Sequence, residues 1–223
     1  MRALIVAAGD APDRAGLDRA WPGWSAAIDL VVAADAGAEA AERLGLRPDL
    51  VVGDFDSIAL GGLDRLHAAG VPVEVAPTDK DESDTELAVR AAIARGARAL
   101  TIVGGLGGRP DHLLANLGLL ALPELADRSV ELLDDRTRVS LIRGPGSRDL
   151  AGRVGDLVSL LPLGPDVDGV TTAGLEWPLA DEALPLGPAR GLSNVRTALV
   201  ARVTIRAGLL LAIETIGGPP DLW

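Results

Sequence analysis

Apolar positions follow two different rhythms along this chain. Over residues 1–136, short β-branched runs alternate with Ala- and Leu-rich stretches of helical pattern. RALIVAA, IDLVVAA, DLVVGDF, VPVEVAP, ALTIVGG and SVELLDD read as strands, with helices filling the intervals. Such alternation predicts a parallel sheet covered on both faces. Over residues 137–223 the runs TRVSLIRG, DLVSLLPLG, VDGVTTAG and TALVARVTIRAGLLLAIET are separated by Gly and Pro, without a helical period. That texture predicts an antiparallel all-β sandwich or barrel. The expected fold class is therefore α/β, with an N-terminal parallel-sheet α/β domain over 1–136 and a C-terminal antiparallel all-β domain over 137–223. The boundary rests on the change of pattern, since no repeat or low-complexity linker marks it.

Composition narrows the chemistry. The chain has 223 residues, 48% of them hydrophobic, but Gly, Pro or charge interrupts every apolar run before membrane-spanning length. The opening MRALIVAAGD reads as a buried first strand rather than a secretory signal, so a cytoplasmic protein is expected. With no cysteine and two histidines, His67 and His112, disulfides, thiolate metal sites and a His-rich centre are excluded, and any metal must be oxygen-ligated. A net charge of −11 opposes binding to nucleic-acid backbones and anionic membranes. A polyphosphate ligand would need a divalent cation to mediate.

The polar clusters fall at the carboxyl ends of the expected strands. Asp35 follows the second, Asp54 and Asp56 the third, Lys80 to Asp84 the fourth, and GGLGGRPDH, with Arg109, Asp111 and His112, the fifth. In an open parallel sheet these ends share one edge, where ligands bind. The glycine-rich loop offers backbone amides to phosphate oxygens, and an arginine binds such oxygens bidentately.

Each cluster also has a purely structural explanation. Ser83 and Glu86 fit a capping box ahead of LAVRAAIARG, which Gly96 would end. Asp54 and Asp56 would point to opposite faces of a continuing strand, so joint action needs a turn at Gly53; the alternative is an Asx-turn with solvated acids. Asp35 could be a helix N-cap and His112 a helix-start residue. The glycine loop lacks the Gly-Lys-Ser/Thr of a P-loop.

In order along the chain, DAGA, PDLVVGDFDS, KDESDTELAV and GGLGGRPDHLLANL, followed by a β-rich tail with GLEWPL and GLSN, resemble the thiamine pyrophosphokinase family. The resemblance spans nearly the whole chain and implies a magnesium-dependent homodimer. Its expected activity moves the pyrophosphoryl group of ATP to the thiamine hydroxyl, giving thiamine diphosphate and AMP. The resemblance assigns Asp54, Asp56, Asp81 and Asp84 to the magnesium and catalytic site, together with Arg109. It assigns Asp35, Lys80, Ser83, Arg109, Asp111 and His112 to ATP, and Asp111, Trp177, Ser193 and Asn194 to thiamine. Trp177 would stack on the pyrimidine; a chain with one Phe and no Tyr has few other faces for a flat cationic ligand. Two positions depart from the family pattern: Ser83 stands where a threonine is common, and Ala36 where a second glycine is. The first keeps the cap hydroxyl, and the second tests whether position 36 needs a positive φ.

Two other readings remain open at this level. DFDS could be the nucleophile motif of a haloacid-dehalogenase-type phosphatase using Asp54, although that motif should follow the first strand of its domain. A non-catalytic nucleotide-binding relative is the second, although such a protein would be expected to have lost some of these acids.

Overall fold

The structure is a computed structural model and describes residues 1–55 and 61–217. Contacts divide the chain into two compact units, Met1–Asp135 and Arg136–Trp223. The first contains β1 (Arg2–Val6), α1 (Arg14–Ala20), β2 (Leu30–Ala34), α2 (Gly37–Arg43), β3 (Leu50–Gly53), α3 (Gly62–Ala68), β4 (Val73–Val75), α4 (Asp84–Ala94), β5 (Ala99–Val103), α5 (Pro110–Leu119) and β6 (Ser129–Leu133). All six strands expected in this half are present.

Their order is β6-β5-β1-β2-β3-β4, and every neighbouring pair is parallel. Strands β1, β2, β3 and β5 are buried almost throughout, which explains why their sequences are continuous apolar runs rather than alternating ones. β4 is a short edge strand with Val75 in solvent. From β1 the order runs through β2 and β3 to β4 on one side, and through β5 to β6 on the other. The switch between β1 and β5 opens a crevice at their carboxyl ends.

Local chemistry sets the helices that border this crevice. Ser83 caps α4, its Oγ accepting from the Glu86 amide at 3.2 Å, while the Glu86 carboxylate accepts from Arg90. Gly96, at φ +89, takes the left-handed turn after α4. Pro110 starts α5, where a missing amide hydrogen costs nothing. Gly37 opens α2 so close to β1 that a Cβ there would lie 2.1 Å from the Val6 carbonyl oxygen. Ala36 has φ −61, so the missing second glycine leaves no strain at that position.

The second unit contains β7 (Thr137–Arg143), β8 (Gly146–Ala151), β9 (Leu157–Pro162), β10 (Val167–Ala173), β11 (Glu182–Leu184), β12 (Asn194–Val195), β13 (Val200–Ile205) and β14 (Leu209–Thr215). Within this unit β12-β9-β14-β7 form one antiparallel layer and β11-β10-β13-β8 a second. Ile142, Val158, Leu160, Leu210 and Ala212 from the first layer share a core with Leu150, Val170, Ala201, Val203 and Ile205 from the second. The unit is thus a sandwich. Its β13 shows the rule plainly: Ala201, Val203 and Ile205 are buried while Arg202 and Thr204 between them face solvent.

A buried charge group lies in this unit. Glu214 on β14 sits opposite Arg138 on β7 and accepts from its Nε and Nη2 at 2.8 Å each, and from Arg196 Nη2 at 2.7 Å. Arg196, only 1% exposed, also donates to the Leu150 carbonyl. Replacing Glu214 by Ala strands a buried guanidinium, so urea denaturation is expected to show a loss of about 3–5 kcal/mol. A loss below about 1 kcal/mol, as for an exposed ion pair, would contradict this assignment.

Candidate active site

Five strand ends supply the polar groups of the first unit. Ala7 to Asp10 follow β1, Asp35 follows β2, Asp54 follows β3, Lys80 to Asp84 follow β4, and Gly104 to Arg109 follow β5. The ends of β1, β2, β4 and β5 border a cavity of about 650 Å³ lined by Gly9, Asp10, Asp35, Lys80, Asp84 and Arg109 among others, with Asp54 joined to it through its ion pair with Lys80. Its floor needs glycine, because a Cβ at Gly9 would lie 2.5 Å from the Gly104 carbonyl oxygen and one at Gly104 2.6 Å from that of Ala7. The two loops at the strand-order switch therefore touch backbone to backbone.

Three acids converge here. Carboxylate oxygens of Asp35, Asp54 and Asp84 lie within 4.8 Å of one another, a spacing compatible with one cation. Asp35, 2% exposed and at φ +48, is held by its amide bond to the Val52 carbonyl oxygen at 2.8 Å. It precedes Ala36, the N-cap position of α2. Asp84 opens α4, four residues after Lys80, and this single turn brings both side chains to the same place.

Lys80 bridges the group, with Nζ 2.7 Å from Asp54 Oδ2 and 3.1 Å from Asp84 Oδ1; its side chain is only 10% exposed. Burial alone would lower the ammonium pKa, but hydrogen bonds and the charges of Asp54 and Asp84 outweigh it and hold the value above the usual one for lysine. Lys80 is therefore a fixed positive charge at neutral pH.

At the rim, Arg109 and Asp111 form a bidentate pair, Nε to Oδ1 at 3.1 Å and Nη2 to Oδ2 at 2.6 Å, with both side chains largely in solvent. The arginine's hydrogen bond, helped by the His112 amide, lowers the Asp111 pKa to about 2. His112 lines the cavity, and so does Asn116, whose buried Nδ2 donates to the Gly105 carbonyl oxygen at 3.0 Å and ties the glycine loop to α5. Ser83 also lines it, with its hydroxyl engaged as the α4 cap.

Among the acids assigned to metal by resemblance, Asp54 and Asp84 come together, Asp81 is exposed and outside the group, and Asp56 lies outside the described residues. Asp35 joins them, although the residues alone suggested a helix cap. Gly9, Asp10, Thr78 and Asn116 were not singled out from sequence, yet all line the cavity. Asp54 follows the third strand in chain order, not the first, and it is ion-paired with Lys80.

The second unit carries the other candidates. Trp177 is 52% exposed, so it is not part of the sandwich core. Its amide donates to Asn194 Oδ1 at 3.1 Å, and its carbonyl accepts from Asn194 Nδ2 at 2.7 Å. Ser193, at φ +55, donates its amide to Ser159 Oγ at 3.0 Å.

Comparison with known proteins accounts for both units. Residues 23–132 match the family model of the thiamin pyrophosphokinase catalytic domain, and residues 148–210 match that of the thiamin pyrophosphokinase vitamin B1 binding domain. Thiamine pyrophosphokinase of Bacillus subtilis is 27% identical over 187 residues, covering 83% of this chain and 87% of its own. Thiamine pyrophosphokinase 1 of Oryza sativa subsp. japonica is 25% identical over 182 residues, covering 77% of this chain and 68% of its own. The crystal structure of thiamin pyrophosphokinase from Geobacillus thermodenitrificans superposes with a TM-score of 0.83 at 27% identity, covering 98% of this chain and 99% of the other. The yeast enzyme, at 15% identity and a TM-score of 0.77 over 100% of this chain and 89% of its own, shares the fold. With two family models accounting for most of the sequence and both units of the structure, the chain belongs to the thiamine pyrophosphokinase family of enzymes.

Proposed function

We propose that this enzyme transfers the pyrophosphoryl group of ATP to the hydroxyl of thiamine, releasing thiamine diphosphate and AMP. The observation that carries the reading is the convergence of Asp35, Asp54, Asp84 and Lys80 beside a glycine-built phosphate cradle. Within a family of pyrophosphokinases, that arrangement suits a polyphosphate and a hard cation.

The donor set fits magnesium, which takes carboxylate and phosphate oxygens and keeps much of its water. Asp35, Asp54 and Asp84 would hold the ion, which when bound would offset polyphosphate charge. The protein's own groups then do the positioning on which such transfers depend. The thiamine hydroxyl oxygen forms a bond to the β-phosphorus in line, the bond from that phosphorus to the α–β bridging oxygen breaks, and AMP leaves. Asp84 or Asp56 would accept the hydroxyl proton. Arg109, with donors beyond those shared with Asp111, would spread charge on the transferred oxygens. Lys80 would hold Asp54 and Asp84 together before substrate arrives. Trp177 would offer its exposed face to the pyrimidine and thiazolium of thiamine. The proposed assembly is a homodimer, and exposed Leu186, Leu192 and Leu199 supply apolar area for it.

With ATP, thiamine and magnesium, AMP and thiamine diphosphate are expected to appear in equal amounts, and EDTA should stop both. Steady phosphate release from phosphomonoesters without thiamine would instead favour phosphatase chemistry on Asp54. Asp84→Asn should lower kcat by about 10²-fold or more through loss of transition-state electrostatics, with the thermal midpoint retained. A wild-type rate in the folded variant would remove Asp84 from the site.

Arg109→Ala should raise the KM for ATP by roughly tenfold through lost charge-assisted hydrogen bonds, and Arg109→Lys should restore only part of it, because lysine lacks the planar fork. Full rescue by lysine would reduce the role to simple charge. Trp177→Ala is expected to raise the KM for thiamine about tenfold, the equivalent of ~1–2 kcal/mol of desolvated cation–π and stacking contact. The KM for ATP should stay within a factor of about two. Equal loss toward both substrates, with a collapsed thermal midpoint, would make Trp177 a folding residue.

A further inference from the structure

We infer that Asn194 is a positioning residue for thiamine, acting through Trp177 rather than by touching substrate. The inference rests on the reading of Trp177 as the stacking surface and adds to it the device that holds that surface in place.

A large aromatic side chain that is half in solvent normally sits on backbone that solvent also satisfies. Trp177 differs. Its N–H donates to Asn194 Oδ1 at 3.1 Å and its carbonyl accepts from Asn194 Nδ2 at 2.7 Å, so one side-chain amide closes on both polar groups of the residue. Asn194 is 8% exposed, and its Oδ1 also accepts from the Val195 amide at 2.9 Å. Two donors fill the two lone pairs of that oxygen, leaving no acceptor capacity for a ligand. The resemblance assigned Asn194 to thiamine directly; the hydrogen bonds assign its amide to the tryptophan backbone.

Neighbouring contacts extend the restraint along the segment. Leu175 bridges Arg196, the Glu176 amide donates to the Val195 carbonyl oxygen at 2.9 Å, and the Leu179 amide donates to Thr172 Oγ1 at 2.8 Å. Arg196 is itself fixed by Glu214 in the sandwich core. The indole is thus exposed while its backbone is anchored at successive residues. A rigid face loses little entropy when a flat ligand stacks on it.

The clamp needs both a donor and an acceptor in one short side chain. Aspartate keeps the acceptor, loses the donor and sets a carboxylate against the Trp177 carbonyl; alanine keeps neither. The test is a double-mutant cycle on the full chain with Trp177→Ala, Asn194→Ala and the pair, plus Asn194→Asp as a conservative variant. The KM values for thiamine and ATP, kcat and the thermal midpoint are read for each.

Asn194→Ala is expected to raise the thiamine KM about five- to tenfold by releasing bonds of ordinary strength. The ATP KM should change less than about twofold, and so should the thiamine KM when Asn194→Ala is added to Trp177→Ala, because coupled residues are not additive. Asn194→Asp should show the same thiamine-selective change if the alanine variant fails to fold. Multiplying effects in the double variant would mean that Asn194 contacts substrate independently and would overturn the inference. Equal rises in both KM values, or an unchanged thiamine KM in Asn194→Ala and Asn194→Asp, would overturn it as well. If Trp177→Ala alone leaves thiamine unaffected, the stacking assignment fails first, which separates the two results.

Discussion

Bringing three carboxylates within 4.8 Å of one another is costly unless something positive stands among them, and Lys80 does so in this protein. Like charges at that separation repel strongly in a half-buried setting. Lys80 can reach both Asp54 and Asp84 because it lies in the loop between β4, which ends at Val75, and α4, which starts at Asp84, so the four residues before the helix deliver the cation and one of its partners together. Ser83, capping α4, fixes where that turn begins. The acid group, its counter-charge and the helix start are one local solution, and the glycine floor beside it lets two loop backbones meet without side chains between them.

The two units present different surfaces. The first gathers charged side chains, a glycine-rich loop and an arginine at the open edge of a parallel sheet. The second, among its described residues, presents one exposed indole, Trp177, on a backbone hydrogen-bonded to Asn194 of the sandwich. The buried Glu214 with Arg138 and Arg196 braces the second unit: it ties β7 and β14 to Arg196, which bridges Leu175, two residues before the tryptophan.

Much of this architecture is legible in the sequence, for identifiable reasons. Strands β1, β2, β3 and β5 announce themselves because burial on both faces demands uninterrupted apolar runs, and α4 because Ser83 and Gly96 mark its ends. Strand ends carrying Asp54, Lys80, Asp84 and Arg109 were legible through the shared edge of a parallel sheet. Strand order was not, and it is the order that places Gly9 and Asp10 against the β5 loop. Asp35, at the end of the second strand, also has the composition of a cap in DAGA; its positive φ and its hydrogen bond to Val52 turn its carboxylate toward Asp54 and Asp84 instead. β8, β11 and β12 are not marked in the sequence because they are short or polar, and the hydrogen bonds of Asn194 to the Trp177 backbone are not, because an amide closing on a distant backbone leaves no local pattern.

Calorimetric titration with Mn²⁺ in the presence of a non-hydrolysable ATP analogue asks whether Asp35, Asp54 and Asp84 hold the cation of a polyphosphate-transferring enzyme. Wild-type protein should bind the ion, and Asp35→Asn and Asp54→Asn should each weaken that binding by at least about tenfold, since each removes one charged oxygen ligand. Unchanged Mn²⁺ affinity in both folded variants would show that the cation lies elsewhere and that the convergence of these acids serves only the fold.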